Sequence, residues 1–389
     1  MFDHILESKE EGKEIFLLLW DLSAAFDTVC HKVLCSKLKL YGFDDLAMKW
    51  VKSFLEDRKQ AVTVSGKVDI KIGTPQGSRL SPLLFVILMS DLDLHAEKSF
   101  KTNFADDTQN TVTADSKEEG EAITKEEAEE IGRFFSSNNL VNNADKAALL
   151  YNSKGSAGKT VMTILQEEIE AQETEKLLGL MVSSRFDWKA HVDNLCIKLK
   201  QRLGLLHRLK QKLPRDKLVI VAEAIFNTSI RYGIAVYLKP RLKDQNTGSY
   251  TQCALAQTLQ VLQNDMIRLI CGLKRSDHVN MKKKRQQLKM LSVNQMCTYH
   301  VLLETNNIIK NNASEQIKRK LTKYETKHTL RSNNRGDLAV PKKPKKTCMR
   351  FSYYSPKLWN LVPLNIRNLE KPSAFKDELK RWVVENIED

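Results

Sequence analysis

Ile15–Trp20, IFLLLW, is an unbroken apolar run. That pattern suits a strand covered on both faces, although a buried helical turn leaves the same trace. The run stops at Asp21, and LSAAF leads on to a second acid, Asp27. An acid ending a central strand emerges at a sheet rim, or merely caps the next turn. From His31 to Tyr41 the period turns helical, with Val33, Leu34, Leu38 and Tyr41 on one face and Gly42 as C-cap. Asp44 predicts the N-cap of a second helix that turns Leu46, Trp50, Val51 and Phe54 inward. Ala61–Ile72 alternates about Ser65-Gly66, which predicts a hairpin. Gly73–Pro82, GTPQGSRLSP, predicts a loop, with Ser81 and Pro82 as N-cap and N1 of the next helix. That helix, through LLFVILMSDL, is apolar on nearly all sides and should be buried. Its loop, rich in Gly and leading into a helix, suits anion or nucleotide contact; taken alone it is a weak signal.

In Lys101–Thr113, KTNFADDTQNTVT, runs rich in Thr, Val and Phe flank Asp106 and Asp107. This predicts a hairpin with a carboxylate pair at its tip. Adjacent carboxylates repel, so a fold that aims both one way usually supplies a cation. By itself, the pair reads as a solvated turn. Glu118–Phe135 predicts an acidic helix with Ile123, Ile131, Phe134 and Phe135 on one side, and Asn138–Leu150 a turn into a short strand. Gly155–Thr160 lacks the glycine a phosphate loop needs at position 153, where Ser153 stands, and predicts an exposed hairpin loop.

Lys176–Trp188 predicts a strand and turn, and from His191 the pattern is helical. Val192, Leu195, Leu199, Leu203 and Leu206 make an apolar stripe, and Arg215–Tyr237 and Leu255–Leu273 give two more helices. The expected domains are 1–185, 186–275 and 276–389. Met281–Met290, MKKKRQQLKM, and Pro341–Lys346, PKKPKK, are basic runs. Each reads as a nucleic-acid contact, a nuclear import signal or, more commonly, a solvated charge run. Arg350–Leu379 regains order around KLWNLVPLNIRN.

The 389 residues, 42% hydrophobic, suffice for two or three domains. A formal net charge of +14, spread along the whole chain, favours a polyanionic partner in an extended groove. Seven cysteines without a C-x-x-C pair read as reduced, mostly core thiols of an intracellular protein. The acidic N-terminus is no signal peptide, and the apolar run Leu83–Met89 is too short to cross a bilayer. The expectation is a protein of the nucleus or cytoplasm, neither secreted nor membrane-bound.

A strand ending in Asp21, a Pro-Gln-Gly loop and an Asp-Asp hairpin share one half of the chain. Carboxylates on neighbouring strands can hold two divalent cations about 3.5–4 Å apart for in-line phosphoryl transfer. The pattern therefore points to a two-metal enzyme acting on nucleic acid.

DLSAAFDTV at Asp21–Val29, TPQGSRLSPLLF at Thr74–Phe85 and FADD at Phe104–Asp107 resemble, in order and spacing, the core motifs of reverse transcriptases. The variant resembles that of non-LTR, LINE-type, jockey-like retrotransposons. Glu175–Val192 resembles the family's palm–thumb border that grips the primer, and Lys357–Asn368 its C-terminal region. The resemblance implies an α+β fold: a right-hand polymerase palm, an antiparallel sheet with helices, then a helical thumb and a helical C-terminal region. It implies metal binding by Asp21, Asp106 and Asp107, with the Leu22 carbonyl completing a shell. It implies that Phe26 excludes a ribose 2′-hydroxyl, that Gln76 and Gly77 pack against nucleotide and template, and that Lys146 assists pyrophosphate departure. The implied cofactor is two Mg²⁺ ions, with Mn²⁺ as substitute. The implied partners are an RNA template, a DNA primer and dNTPs, with no membrane.

This chain departs from the family pattern in places. Fourteen residues precede the Asp21 strand, where the family carries a fingers segment, and no endonuclease domain is recognisable. The usual Asn-Pro-Asp-Lys-Thr reads Asn143-Ala144-Asp145-Lys146-Ala147. The expectation is a 5′-truncated copy that keeps nucleic-acid affinity with little or no turnover. Two rivals stand beside the polymerase: a non-catalytic nucleic-acid-binding remnant, and a two-metal nuclease. A nuclease needs no sugar gate at Phe26.

Overall fold

The computed structural model describes residues 1–56, 58–62, 66–70, 72–143, 146–241, 253–310, 315–321, 337–341 and 350–388. The chain divides into two compact units, one of residues 3–178 with 183–185, the other essentially 186–389 with 179–182.

The first unit is α+β. Its elements begin with α1 (Phe2–Glu11), β1 (Glu14–Trp20), α2 (His31–Leu40), α3 (Asp45–Leu55), β2 (Arg58–Val62), β3 (Gly66–Ile70) and α4 (Leu80–Met89). They continue with β4 (Phe100–Phe104), β5 (Asp107–Ala114), α5 (Lys117–Ser137), β6 (Ala148–Ser153), β7 (Ser156–Ala157), β8 (Val161–Ile164) and β9 (Glu167–Gln172). The main sheet runs β4-β5-β1-β6-β9-β8, with β7 on β6. The expected antiparallel sheet holds except at β6 and β9, which pair in parallel. β1 is buried along its whole length between β5 and β6, so the IFLLLW run is a central strand. Phe16, Leu18 and Trp20 join Phe134 and Phe135 of α5 in one core. The helix approaches so closely that a Cβ on Gly120 would lie 2.2 Å from the Phe16 ring. A larger residue there would push α5 off the strand whose end carries Asp21.

Asp44 caps α3 as expected, its carboxylate accepting from the Ala47 N–H at 2.7 Å. The face of α3 is half as expected, with Val51 buried and Phe54 packed partly against the core, and half a correction. Met48, Val51 and Leu55 are its buried residues, while Leu46 is 77% and Trp50 61% exposed. The helix carries two apolar stripes, and the core takes the one spaced i, i+3, i+7. The start of α4 is a second correction. The helix begins one residue before Ser81, and the Ser78 hydroxyl accepts the Leu80 N–H. Ser81 instead donates to the Pro75 carbonyl at 2.7 Å, tying the helix back to its loop. Nor is α4 wholly buried, since Leu83 and Val86, one turn apart, are 55% and 56% exposed. The pair β2 and β3 forms the expected hairpin, whose turn lies outside the described residues. The Gly155–Thr160 stretch begins as a hairpin loop between β6 and β7, with Lys154 and Gly155 both at positive φ.

The chain leaves this unit through β10 (Thr174–Leu177) and β11 (Leu180–Ser183). Apart from β11, the described elements of the second unit are helical: α6 (Lys189–Lys210), α7 (Arg215–Ala222), a π-helical turn (Glu223–Asn227), α8 (Thr228–Arg231), α9 (Ile234–Tyr237) and α10 (Ala254–Cys271). Then come α11 (Met281–Gln287), α12 (Val293–Lys310), α13 (Glu315–Lys320), α14 (Phe351–Trp359), α15 (Leu364–Arg367) and α16 (Pro372–Asn386). The single helix expected over Arg215–Tyr237 is broken by the π turn and again at Gly233, φ 67°. Fully buried Gln263 donates to Asn227 Oδ1 and to the Leu291 carbonyl, holding the π turn against α10. The basic run at Met281 is not simply solvated, because Arg285 is buried and donates to Asn264. The run Pro341–Lys346 lies, after Pro341, outside the described residues. Of the six described cysteines, only Cys196 and Cys297 are buried, which corrects the expectation of mostly core thiols. Among the described residues no helix is long and apolar enough to cross a membrane.

Candidate active site

Strand pairing places the acids. In the β1–β5 ladder Trp20 faces Thr108, so the next step brings Asp21, just past β1, opposite Asp107, the first residue of β5. The β4–β5 hairpin closes through Ala105 and Asp106, because Phe104 pairs with Asp107. Ala105 has φ 55°, which a tight two-residue turn demands of its first position and glycine fills most easily. Gln109 braces this hairpin. Its Nε2 donates to the Asp107 carbonyl at 3.2 Å, and its Oε1 accepts from the Thr102 hydroxyl at 2.8 Å. Behind the acids β5 stays polar. Thr108, Gln109, Asn110 and Thr111 are all buried, and the Trp20 indole N–H donates to Asn110 Oδ1 at 2.8 Å. The hydroxyls of Thr108 and Thr111 have no hydrogen-bond partner.

Asp21 and Asp107 line a cleft of about 450 Å³ with Lys146, Gln109, Glu175 and Lys176. Burial first, then the charges of Asp106 and Asp21, raises the Asp107 carboxyl above the usual aspartate range. The Lys146 ammonium stands 3.3 Å from Asp21 Oδ2, and Asn143 Nδ2 donates to the same oxygen at 3.3 Å. The donor set is oxygen-rich and over-supplied with negative charge, which suits a hard divalent cation. Among the described residues no three His, Cys, Asp or Glu side chains are grouped as a metal cage. The residues that could hold such a cation are Asp21 and Asp107, with Asp106 in the adjoining turn.

Leu22 forms an isolated bridge with Asn142, flanked by hydrogen bonds from Ser23 N to Val141 O and from Asn143 N to Asp21 O. That pattern leaves the Leu22 carbonyl outside the bridge's own bonds. Phe26 is half-buried, its ring centroid 4.9 Å from that of Phe85 on α4. The Pro-Gln-Gly loop is sewn to the segment after Asp21. Gly73 N donates to Val29 O, and Thr74 N to Phe26 O. At Gly73, φ 85°, a Cβ would lie 2.7 Å from the Asp27 carbonyl oxygen. Gln76 and Gly77 are exposed, and Gln76 Nε2 donates to both Asp27 carboxylate oxygens, at 3.0 and 3.1 Å.

Strand pairing thus brings Asp21, Asp107 and Lys146 into one cleft, with Asp106 in the adjoining turn. Phe26, Gln76 and Gly77 sit on the Asp27–Gly73 junction and are not among the cleft's lining residues. Sequence reasoning missed Asn143 as a partner of Asp21 and Asp27 as a partner of Gln76. The Asn143 signal was its place three residues before Lys146; nothing local marked the Asp27 pairing.

Residues 2–182 match the family model described as "Reverse transcriptase (RNA-dependent DNA polymerase)". The matched stretch, a little under half of the chain, is similar to a reverse transcriptase domain. Its relatives include proteins of mobile elements. The "RNA-directed DNA polymerase from mobile element jockey" of Drosophila melanogaster is 27% identical over 248 residues, 60% of this chain and 26% of that protein. The Drosophila funebris jockey protein is 27% identical over 69% of this chain and 29% of its own length. The "Probable RNA-directed DNA polymerase from transposon X-element" of Drosophila melanogaster is 24% identical over 68% of this chain and 29% of that protein. The chain therefore spans under a third of the length of these relatives. Among solved structures, apo telomerase from Candida Tropicalis shows 10% identity over 81% of this chain and 55% of that chain, at a TM-score of 0.40.

Proposed function

We propose that this chain is the polymerase portion of a non-LTR retrotransposon's RNA-directed DNA polymerase. It joins a dNTP to the 3′-hydroxyl of a DNA primer paired with an RNA template. The observation that carries the reading is the convergence of Asp21 and Asp107 from adjacent strands in a cleft shared with Lys146. Two Mg²⁺ ions, or Mn²⁺, held by Asp21, Asp106, Asp107 and the Leu22 carbonyl, would activate the 3′-hydroxyl and neutralise the departing pyrophosphate.

The chain's own groups do the rest. Lys146 offers an ammonium beside Asp21 that offsets charge on the leaving group. Phe26, backed by Phe85, closes the space a ribose 2′-hydroxyl would need. Gln76 and Gly77 present an exposed loop to nucleotide and template. The net charge of +14 supplies cations for the phosphates of the duplex. Residues 1–185 would be palm with partial fingers, 186–275 thumb and 276–389 a C-terminal helical region. The place of action is the nucleus or cytoplasm.

Extension of oligo(dT) on poly(rA) with Mg²⁺ or Mn²⁺ tests this. The expected result is template-dependent dTTP incorporation that Asp21→Asn abolishes. Duplex binding that weakens with salt, without incorporation in either metal, would instead identify a nucleic-acid-binding chain without turnover.

A further inference from the structure

The contact between Asp27 and Gln76 spans 49 positions of sequence and joins two exposed side chains. Neither lines the acidic cleft. An exposed glutamine has several rotamers, and its amide can face either way. Here the choice is made by chemistry. An ionised carboxylate only accepts, so the amide nitrogen must be the end that faces Asp27. With Nε2 within 3.0 and 3.1 Å of the two Asp27 oxygens, the amide oxygen points away from the carboxylate.

The backbone beneath is fixed as well. Gly73 N reaches Val29 O at 2.8 Å, Thr74 N reaches Phe26 O at 2.7 Å, and a His31 ring nitrogen lies 2.7 Å from Gly73 O. The Asp27 backbone itself lies against Gly73, where no side chain would fit. The Asp27 backbone and the start of the Gln76 loop thus share one hydrogen-bonded frame.

We propose that Asp27 is a positioning residue for Gln76. It sets the amide so that Oε1 is presented as an acceptor to a hydrogen-bond donor on the nucleic-acid substrate, a sugar hydroxyl or a base N–H. The ligand side of this inference rests on the polymerase reading above; the pairing itself does not.

Two measurements on the full chain separate these parts. In the first, the side-chain amide of Gln76 is followed by nitrogen-15 NMR and assigned by its loss in Gln76→Ala. The expected signal is shifted from free glutamine and slow to exchange. Asp27→Ala should return it to the free range, and Asp27→Asn, whose Oδ1 still accepts, should keep most of the shift. A signal unmoved by Asp27→Ala overturns the pairing.

In the second, affinity for an RNA–DNA primer–template duplex is measured by fluorescence anisotropy. Gln76→Ala and Asp27→Ala should each weaken binding about two- to tenfold, the span of one ordinary hydrogen bond. The double variant should lose no more than either alone, and Asp27→Asn should recover most of the loss. Additive losses would overturn the positioning role. A wild-type chain that binds no duplex would overturn the polymerase reading and the role toward substrate together. The NMR result would still decide whether Asp27 holds Gln76.

Discussion

The Lys146 ammonium lies 3.3 Å from the Asp21 carboxylate, so a side-chain cation already stands at the acid that ends the central strand. Lys146 is 66% exposed, and pairs this open are worth about 0–1 kcal/mol. Lys146→Met should therefore change stability by under about 1 kcal/mol in urea melts. Removing the resident cation should also tighten Mn²⁺ binding by the free chain, read by electron paramagnetic resonance, while slowing dTTP incorporation. Unchanged Mn²⁺ affinity would show that Lys146 and the cation do not share Asp21.

Asp107 gives a pH signature. Burial, then the charges of Asp106 and Asp21, holds its folded-state pKa above the unfolded value. Its contribution to stability is thus fully present below the ordinary aspartate range and is lost as pH rises through the raised value. Asp107→Asn should melt at a higher temperature than wild type at pH 7, and the gain should vanish in acid. Mg²⁺ should raise the melting temperature of the wild type more than that of the variant.

His191 acts in the opposite direction. Its ring is buried edge-on against Tyr237, centroids 4.6 Å apart, and its Nδ1 accepts from the Met181 N–H. Burial, with a smaller push from Lys198, lowers its pKa from 6.5 to about 4. The folded pKa is depressed, so the stability held by neutral His191 is full above the unfolded value and is lost as pH falls towards 4. Urea melts should show a loss on the order of 1–3 kcal/mol between pH 7 and pH 4 that His191→Gln reduces.

Gly73→Ala tests the junction of the Pro-Gln-Gly loop. Alanine is strained at φ 85°, and its Cβ would meet the Asp27 carbonyl oxygen at 2.7 Å. The expected cost is about 1–3 kcal/mol in thermal or urea unfolding. A neutral substitution would mean that the loop does not rest on Asp27.

Phe26 is half-buried against Phe85, which sets a limit on how much it adds to the core. Phe26→Ala should cost less than the roughly 3–5 kcal/mol of a fully buried phenylalanine. If the ring excludes a 2′-hydroxyl, the ratio of rNTP to dNTP incorporation should rise in the variant. An unchanged ratio in a folded, active variant would leave Phe26 a packing residue.

Local chemistry alone accounts for several features. IFLLLW called for burial, as a strand covered on both faces or a buried helical turn, and it is the central strand. Asp44 could cap α3 within its own four residues, and it does. The hairpin followed from a polar pair between two strand-forming runs, although only Asp106 lies in its turn and Asp107 opens β5. Each of these depends on neighbours within a few positions, which is the range over which capping, turn geometry and hydrophobic period act.

Other features waited for the packed chain. α3 offers the core two apolar stripes, and only its neighbours select Met48, Val51 and Leu55 over Leu46 and Trp50. α4 reads as apolar all round, yet Leu83 and Val86 face outward, because nothing in a sequence says which sides of a helix are met. Helical period gave no warning of the π turn at Glu223–Asn227, which a buried glutamine on another helix holds in place. The acids themselves were visible as residue types. Their meeting came from the register of β1 on β5, and the Asp27 grip on Gln76 from a loop sewn across 49 positions. Residue type and local period fix what a segment can become. Which side chains meet is set by long-range pairing, whose free energy is shared among many contacts and written in no single stretch of the chain.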